Sequence, residues 1–235
     1  MMAETNSMAD NLARIRERVV RAAGRAGRRE GEITLVAVSK TFPAEAIRAG
    51  HEMGLRHFGE NRVQEWEEKR KELDGVYATW HLIGHLQSNK ARRAVHLFDR
   101  VDSVDDLGLA RRLDAVAREE GKRLGVLVEV SLGNEATKSG ASEAKLPELA
   151  DGFSSLAHLE LLGLMTIPPY FEVAERVRPF FARLCILRDE LAARLGRPLP
   201  VLSMGMSHDF EIAIEEGATE IRVGAALFGE RRAER

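Results

Sequence analysis

Eight short β-type runs, each followed by a stretch of helical spacing, recur between residues 33 and 223, and this order restricts the fold more than any other feature. The runs are 33–38, 56–59, 79–84, 98–101, 126–130, 161–165, 199–203 and 220–223, of which the second and fourth have the least β character. Strands alternating with helices imply a parallel sheet, because a parallel neighbour is reached only through a crossover. Such a sheet is either open and doubly wound or closed. Eight units favour closure, and 235 residues lie near the usual size of one eight-fold barrel, although two small domains would also fit. No Pro/Gly/Ser-rich linker divides the sequence, so residues 1–235 are expected to form a single (β/α)8 TIM barrel.

Helical stripes fill in the outer layer. Leu12, Ile15, Val19 and Ala23 recur at helical spacing with arginines between them, which predicts an additional N-terminal helix packed on a larger body. Ser103 with Asp106 forms a candidate capping box. Val177, Phe180, Leu184, Leu187, Leu191 and Leu195 make a stripe that closes at Gly196.

Charge and cysteine content exclude whole classes of function. The 35 basic and 37 acidic residues leave a formal net charge of -2, so no protein-wide field gathers nucleic acid or an anionic membrane. Any phosphate site must be local. RAAGRAGRRE is arginine-rich but lacks aromatics to stack on bases, and reads as a solvated turn. The single Cys185 rules out an internal disulfide framework or a cysteine zinc cluster, and reads as a small buried thiol rather than a nucleophile. With no signal-like segment and no apolar run of about 18 residues, a soluble, cytoplasmic protein is expected. His81 and His85 flank Gly84 at a strand end with no evident third ligand, so no metal site is expected. Neither GxxxxGK[ST] nor GxGxxG occurs.

In a barrel of this type the functional face is built by the loops at the C-terminal ends of the strands. Polar residues crowd those positions. Ser39-Lys40 follows the first run, Gly59-Glu60-Asn61 the second, HLIGHLQSNK the third and SLGNEATKSG the fifth, while SMGMSHDFE and GAALFGE follow the seventh and eighth. The last two resemble phosphate-binding turns: Ser207 offers a hydroxyl, Gly224 admits a close backbone approach, and Ala225 to Phe228 can form a short helix. A purely structural alternative has Ser207 and Gly205 capping and turning the next helix.

Lys40 is the sharper feature. A lysine at the end of a buried run is costly unless its charge is paired or its amine neutral, and a desolvated lysine can attack a carbonyl. Taken alone it reads more simply as a snorkelling side chain with its ammonium in water. A neighbouring phosphate site changes that balance, because an aldehyde carried on a phosphorylated ring would use both features, and pyridoxal phosphate is such a molecule. Arg222, if inward-facing, could meet the pyridine nitrogen of that ring without protonating it; its alternative is an ion pair with Glu220. Asn61 could touch the ring or cap a helix.

Read together, AVSKTFP, HFGENRVQE, WHLIGHLQSNK, KSG, GLMTIP, SMGMSHDFEIAI and RVGAALFGE closely resemble the pyridoxal phosphate homeostasis proteins, a family similar to the N-terminal domain of alanine racemase. The resemblance runs from about residue 10 to residue 229. It implies pyridoxal 5'-phosphate held on Lys40 as an internal aldimine, with Ser207 and the turn at Gly224 around the phosphate, Arg222 near the pyridine nitrogen and Asn61 beside the cofactor. Ala225 stands where the family commonly has a threonine, so one phosphate-facing hydroxyl is missing.

The function expected from this resemblance is a carrier that contributes to intracellular homeostasis of the cofactor, with no identifiable second catalytic base that would make it an enzyme. A racemase of the related fold needs such a base, usually a tyrosine from a separate β domain, and Tyr77 and Tyr170 lie outside the strand-end motifs. The expected partners are pyridoxal phosphate and pyridoxal-phosphate-dependent apoenzymes as recipients, with a monomer as the expected state. The alternatives are a racemase or decarboxylase using an unrecognised base or a partner chain, and a phosphate-sugar barrel in which Lys40 reacts directly with substrate.

Overall fold

The computed structural model describes residues 7–133 and 139–229. Its strands are β1 (Thr34–Val38), β2 (His57–Glu60), β3 (Thr79–Leu82), β4 (Arg100–Val104), β5 (Leu124–Glu129), β6 (Leu159–Met165), β7 (Val201–Ser203) and β8 (Glu220–Val223). All neighbours pair in parallel and in chain order, and β8 returns to β1 through the register Val36 to Arg222, closing the barrel. The helices are α1 (Met8–Arg25), α2 (Ala44–Glu52), α3 (Val63–Lys69), α4 (Ala91–Leu97), α5 (Leu107–Glu119), α6 (Leu146–Phe153), α7 (Arg178–Leu195), α8 (Phe210–Glu215) and α9 (Ala225–Phe228).

Each expected run lies on one strand, and the largest displacement, at β4, has a physical cause. Phe98 closes α4, its amide donating to the Ala94 carbonyl at 2.9 Å, so the strand begins later and reaches Val104. Ser103 therefore lies inside β4, where its hydroxyl donates to the Gly84 carbonyl at 2.7 Å, and the expected Ser103–Asp106 capping box does not form. Asp106 caps α5 itself, accepting from the Leu109 amide at 2.8 Å.

The apolar stripe of α1 buries Leu12, Ile15, Val19 and Ala23 against α8 and α9, as its spacing predicts. Asn11 and Arg18 fasten it by a hydrogen bond to the Leu227 carbonyl (3.0 Å) and an ion pair with Glu211 (2.8 Å). In α7 the buried stripe runs through Phe181, Leu184, Leu187 and Leu191, whereas Phe180 is half-buried against Phe171; Gly196 ends the helix at φ 61°. Only a residue without a Cβ enters that left-handed conformation at little cost. Cys185 is half-buried rather than buried, with the Arg188 guanidinium 3.6 Å from its sulfur.

The barrel's interior is not uniformly apolar. Inward-facing positions of β2, β3, β4 and β8 carry His57, His81, Arg100, Asp102 and Glu220, all linked. Arg100 donates to Asp102 at 2.6 and 2.9 Å and to Glu220 at 2.6 Å; His81 bridges Asp102 (3.2 Å) and His57 (3.0 Å). His81, Asp102 and Glu220 bring ligand-type atoms within 4.8 Å of one another, but the guanidinium between the two carboxylates already satisfies them. His81 thus belongs to this network and not to a pair with His85, whose ring lies 3.5 Å from Asp105.

Candidate functional site

At the opposite, C-terminal end of the strands the barrel opens into a cavity of about 910 Å³. All six residues singled out from the sequence, Lys40, Asn61, Ser207, Arg222, Gly224 and Ala225, line it. Their convergence follows from topology: each stands at or just beyond the C-terminal end of its strand, so closure of the sheet turns separate strand ends into one wall.

The turn after β1 aims Lys40. Ser39 is fully buried, its hydroxyl donating to Glu60 at 2.7 Å, and the Phe42 amide donates back to the Ser39 carbonyl at 3.1 Å. Thr41, next to Lys40, sits at φ 67°, a conformation a β-branched residue rarely adopts. Its amide donates to Glu65 at 2.5 Å, and Lys69 ties Glu60, Glu65 and the Ser39 carbonyl together. Burial raises the Glu60 carboxyl above its usual value despite the Lys69 charge beside it. A strained turn held by a buried network keeps its geometry without a ligand, which is the condition for a preorganised site.

Arg222 is buried, as an inward-facing residue of β8. Its terminal nitrogens donate to Ser203 Oγ at 2.7 Å and to the Thr166 carbonyl at 2.8 Å, not to Glu220, which belongs to Arg100. Burial pushes its guanidinium down from the usual value, with the charges of Glu220 and Asp102 opposing that effect. Asn61 does not cap α3, whose N-cap is Arg62. It is pressed against the β3 loop instead: a Cβ at Gly84 would stand 2.4 Å from the Asn61 carbonyl oxygen, so only glycine permits this approach.

The β7 and β8 turns meet. Ser207 does not cap α8; its hydroxyl accepts from the Ala226 amide at 3.2 Å, linking the two loops, while Asp209 accepts from the Met206 amide at 2.6 Å. Burial raises the Asp209 carboxyl above its usual value. Gly224 precedes α9, and a Cβ there would approach the Val38 carbonyl at 3.2 Å. Ala225 is exposed at the first position of α9.

Sequence reasoning missed Glu129, Tyr170 and His208. Glu129 ends β5 and faces the cavity, a charge closing an apolar run in the same way as Lys40, and that signal was available. Tyr170 comes from the long β6–α7 connection, which carries no periodicity; its ring nevertheless lines the cavity and packs on His208 with centroids 5.5 Å apart. Tyr170 lies outside the strand-end motifs, yet folding brings it to the site. Lys138, a competing lysine, lies outside the described residues.

A closed parallel barrel that brings Lys40, the buried Arg222 and two glycine-containing turns to its mouth fits an aldehyde-bearing aromatic phosphate: the amine, the planar donor and the backbone turns are the groups such a molecule requires. The chain matches the family described as alanine racemase, N-terminal domain, over residues 10–232. It is 46% identical over 223 residues to the pyridoxal phosphate homeostasis protein of Aquifex aeolicus, covering 95% of this chain and 98% of that one. The corresponding Escherichia coli protein is 41% identical, with 96% of this chain and 97% of that one covered. The solved structure of PipY from Synechococcus elongatus with PLP bound is 41% identical and superposes with a TM-score of 0.85, covering 95% of this chain and all of that one. The chain belongs to the pyridoxal phosphate homeostasis protein family. An alanine racemase from Clostridium difficile, 17% identical with a TM-score of 0.70, shares the barrel fold.

Proposed function

We propose that the protein binds pyridoxal 5'-phosphate in the mouth of its single barrel domain and contributes to intracellular homeostasis of that cofactor by keeping its reactive aldehyde covered. The observation that carries this reading is the convergence of Lys40, Arg222, Ser207 and the Gly224 turn on one cavity. PipY, solved with PLP bound and alike over 95% of this chain, supports it.

Lys40 supplies the covalent link: its amine nitrogen forms a C=N bond with the aldehyde carbon, and the carbonyl oxygen leaves as water. Ser207 and the backbone at Gly224 and Ala225 hold the phosphate. Arg222 presents a cation that does not readily give up a proton, so a ring nitrogen beside it stays unprotonated and the ring is a weak electron sink. Asn61 borders the ring. A carrier is better served by such a ring than an enzyme that must stabilise a carbanion. Apoenzymes that use the cofactor are the proposed recipients, the protein acts as a monomer in the cytoplasm, and among the described residues no helix is long and apolar enough to cross a membrane.

Tyr170 favours one second reading. A phenol at the cavity wall is the group a racemase would need opposite its lysine. Incubating the loaded protein with a panel of L- and D-amino acids separates the two. A carrier gives no sustained turnover and passes the cofactor to an apoenzyme; turnover that vanishes in Tyr170→Phe would establish the enzyme.

Ala225 is expected to weaken phosphate binding. Ala225→Thr restores a hydroxyl at an exposed position where the larger side chain fits. A hydrogen bond to a charged group contributes about 1.5–3 kcal/mol, so cofactor affinity should rise about tenfold or more by equilibrium titration. Unchanged or lower affinity would contradict this assignment of the turn.

A further inference from the structure

Glu129 is the buried titratable group of the cavity that the proposed function leaves unused. Its side chain lines the same cavity as Lys40 and Arg222, and the residue is only 7% exposed. Among the described residues no hydrogen bond to its carboxyl is found, and since no fully buried side-chain oxygen lacks a partner, the carboxyl opens onto the cavity; Asp102 and Glu220, deeper in the barrel, are bonded to Arg100. The Arg222 charge favours the ionised form of Glu129, but the Arg222 terminal nitrogens donate to Ser203 and the Thr166 carbonyl. Asp105, beyond β4, adds a second negative charge nearby, and His85, beyond β3, is drawn to that Asp105 at 3.5 Å. A largely desolvated carboxyl that faces a cavity, with no hydrogen-bond partner among the described residues, is better satisfied when a ligand supplies one.

Resting on the cofactor reading, we propose that the Glu129 carboxyl, in its protonated form, donates a hydrogen bond to an acceptor on the non-phosphate end of the bound cofactor, and so makes retention of that cofactor fall as pH rises. The phosphate end belongs to the β7 and β8 turns, which leaves the ring for a residue on β5. The sign follows from charge. Burial, with the Asp105 charge adding to it and Arg222 and His85 opposing, pushes the Glu129 carboxyl up to about 7. An anionic ligand raises it further, so binding favours the protonated form. The hydrogen bond is therefore fully present below the value of the free protein and is lost as pH climbs towards that of the complex.

The test is the pyridoxal phosphate affinity of the wild type and of Glu129→Gln between about pH 6 and about pH 9. The amide keeps the shape and a donor but cannot ionise. Near pH 6 the two should bind within a few-fold of each other; above about pH 7 the wild type should lose affinity relative to the variant by up to about tenfold per pH unit. Comparing the two proteins cancels the pH dependence of the lysine linkage they share. Parallel profiles, or a wild type that gains relative to the variant as pH rises, would overturn the inference while leaving the cofactor reading intact. Absence of binding in both proteins would overturn both. Cooperative melting of apo Glu129→Gln, no lower than that of the wild type at about pH 8, verifies its fold, because the substitution removes a charge that burial disfavours.

Discussion

Replacing Arg100 by methionine should destabilise the protein by about 3–5 kcal/mol at neutral pH, the usual consequence of breaking a buried ion pair from one side. The guanidinium is the sole cation among the described partners of two buried carboxylates, Asp102 and Glu220. Burial alone would raise Asp102, but the Arg100 charge and the His81 hydrogen bond hold it well below the usual carboxylate range. Its contribution in the wild type is therefore present above the unfolded carboxylate value and is lost as pH falls towards the depressed folded one. Without Arg100 the sign reverses: the two acids repel in a desolvated space, their protonated forms are favoured, and the deficit should shrink as pH falls from about 7 towards about 5. Chemical denaturation at both pH values reads the effect. A loss below about 1 kcal/mol would mean that water or rearrangement compensates the acids. Replacing Asp102 and Glu220 as well, with apolar residues, should recover much of the loss, since a buried ionic cluster contributes little over a packed apolar one.

This charged layer marks the boundary of what could be read in the sequence. Runs such as LVAV and LLGLM announce buried parallel strands because both of their faces are covered, and the stripes of α1 and α7 state their own inner faces. Arg100, Asp102 and Glu220 carry the opposite signal. Charge in a single sequence reads as solvent exposure, and only closure of the sheet brings β4 and β8 close enough to neutralise them. The same closure explains why Lys40, Ser207 and Arg222 were legible: each occupies a strand end, and in a β-then-α order all strand ends meet at one mouth. Tyr170 reaches that mouth from an irregular connection, where spacing carries no information. Phe98 shows how an apolar residue misleads locally, since an aromatic that ends a helix and packs near Trp66 has the composition of a strand start.

Lys40→Ala should abolish the adduct that borohydride fixes between protein and pyridoxal phosphate, and should lower cofactor affinity at least about a hundredfold, roughly 3 kcal/mol. The variant retains the β7 and β8 turns, so residual binding should depend on phosphate and compete with inorganic phosphate. Its fold should survive. Lys40 is half-buried, and the turn that carries it is held by hydrogen bonds of Ser39, Glu60, Glu65 and Lys69. In the wild type, reduction and mass spectrometry should place one pyridoxyl group on the peptide containing Lys40. Recovery on Lys90 or Lys138 would refute the assignment. Lys90 closes the short helical turn Ser88–Lys90 beyond β3 and does not line the cavity, whereas Lys40 does, on a turn shaped by Thr41 at positive φ and by the bonds among Ser39, Glu60, Glu65 and Lys69. Loss of the adduct together with persistence of phosphate-dependent binding would separate the two halves of the site, the lysine that secures the aldehyde and the turns that recognise the anion.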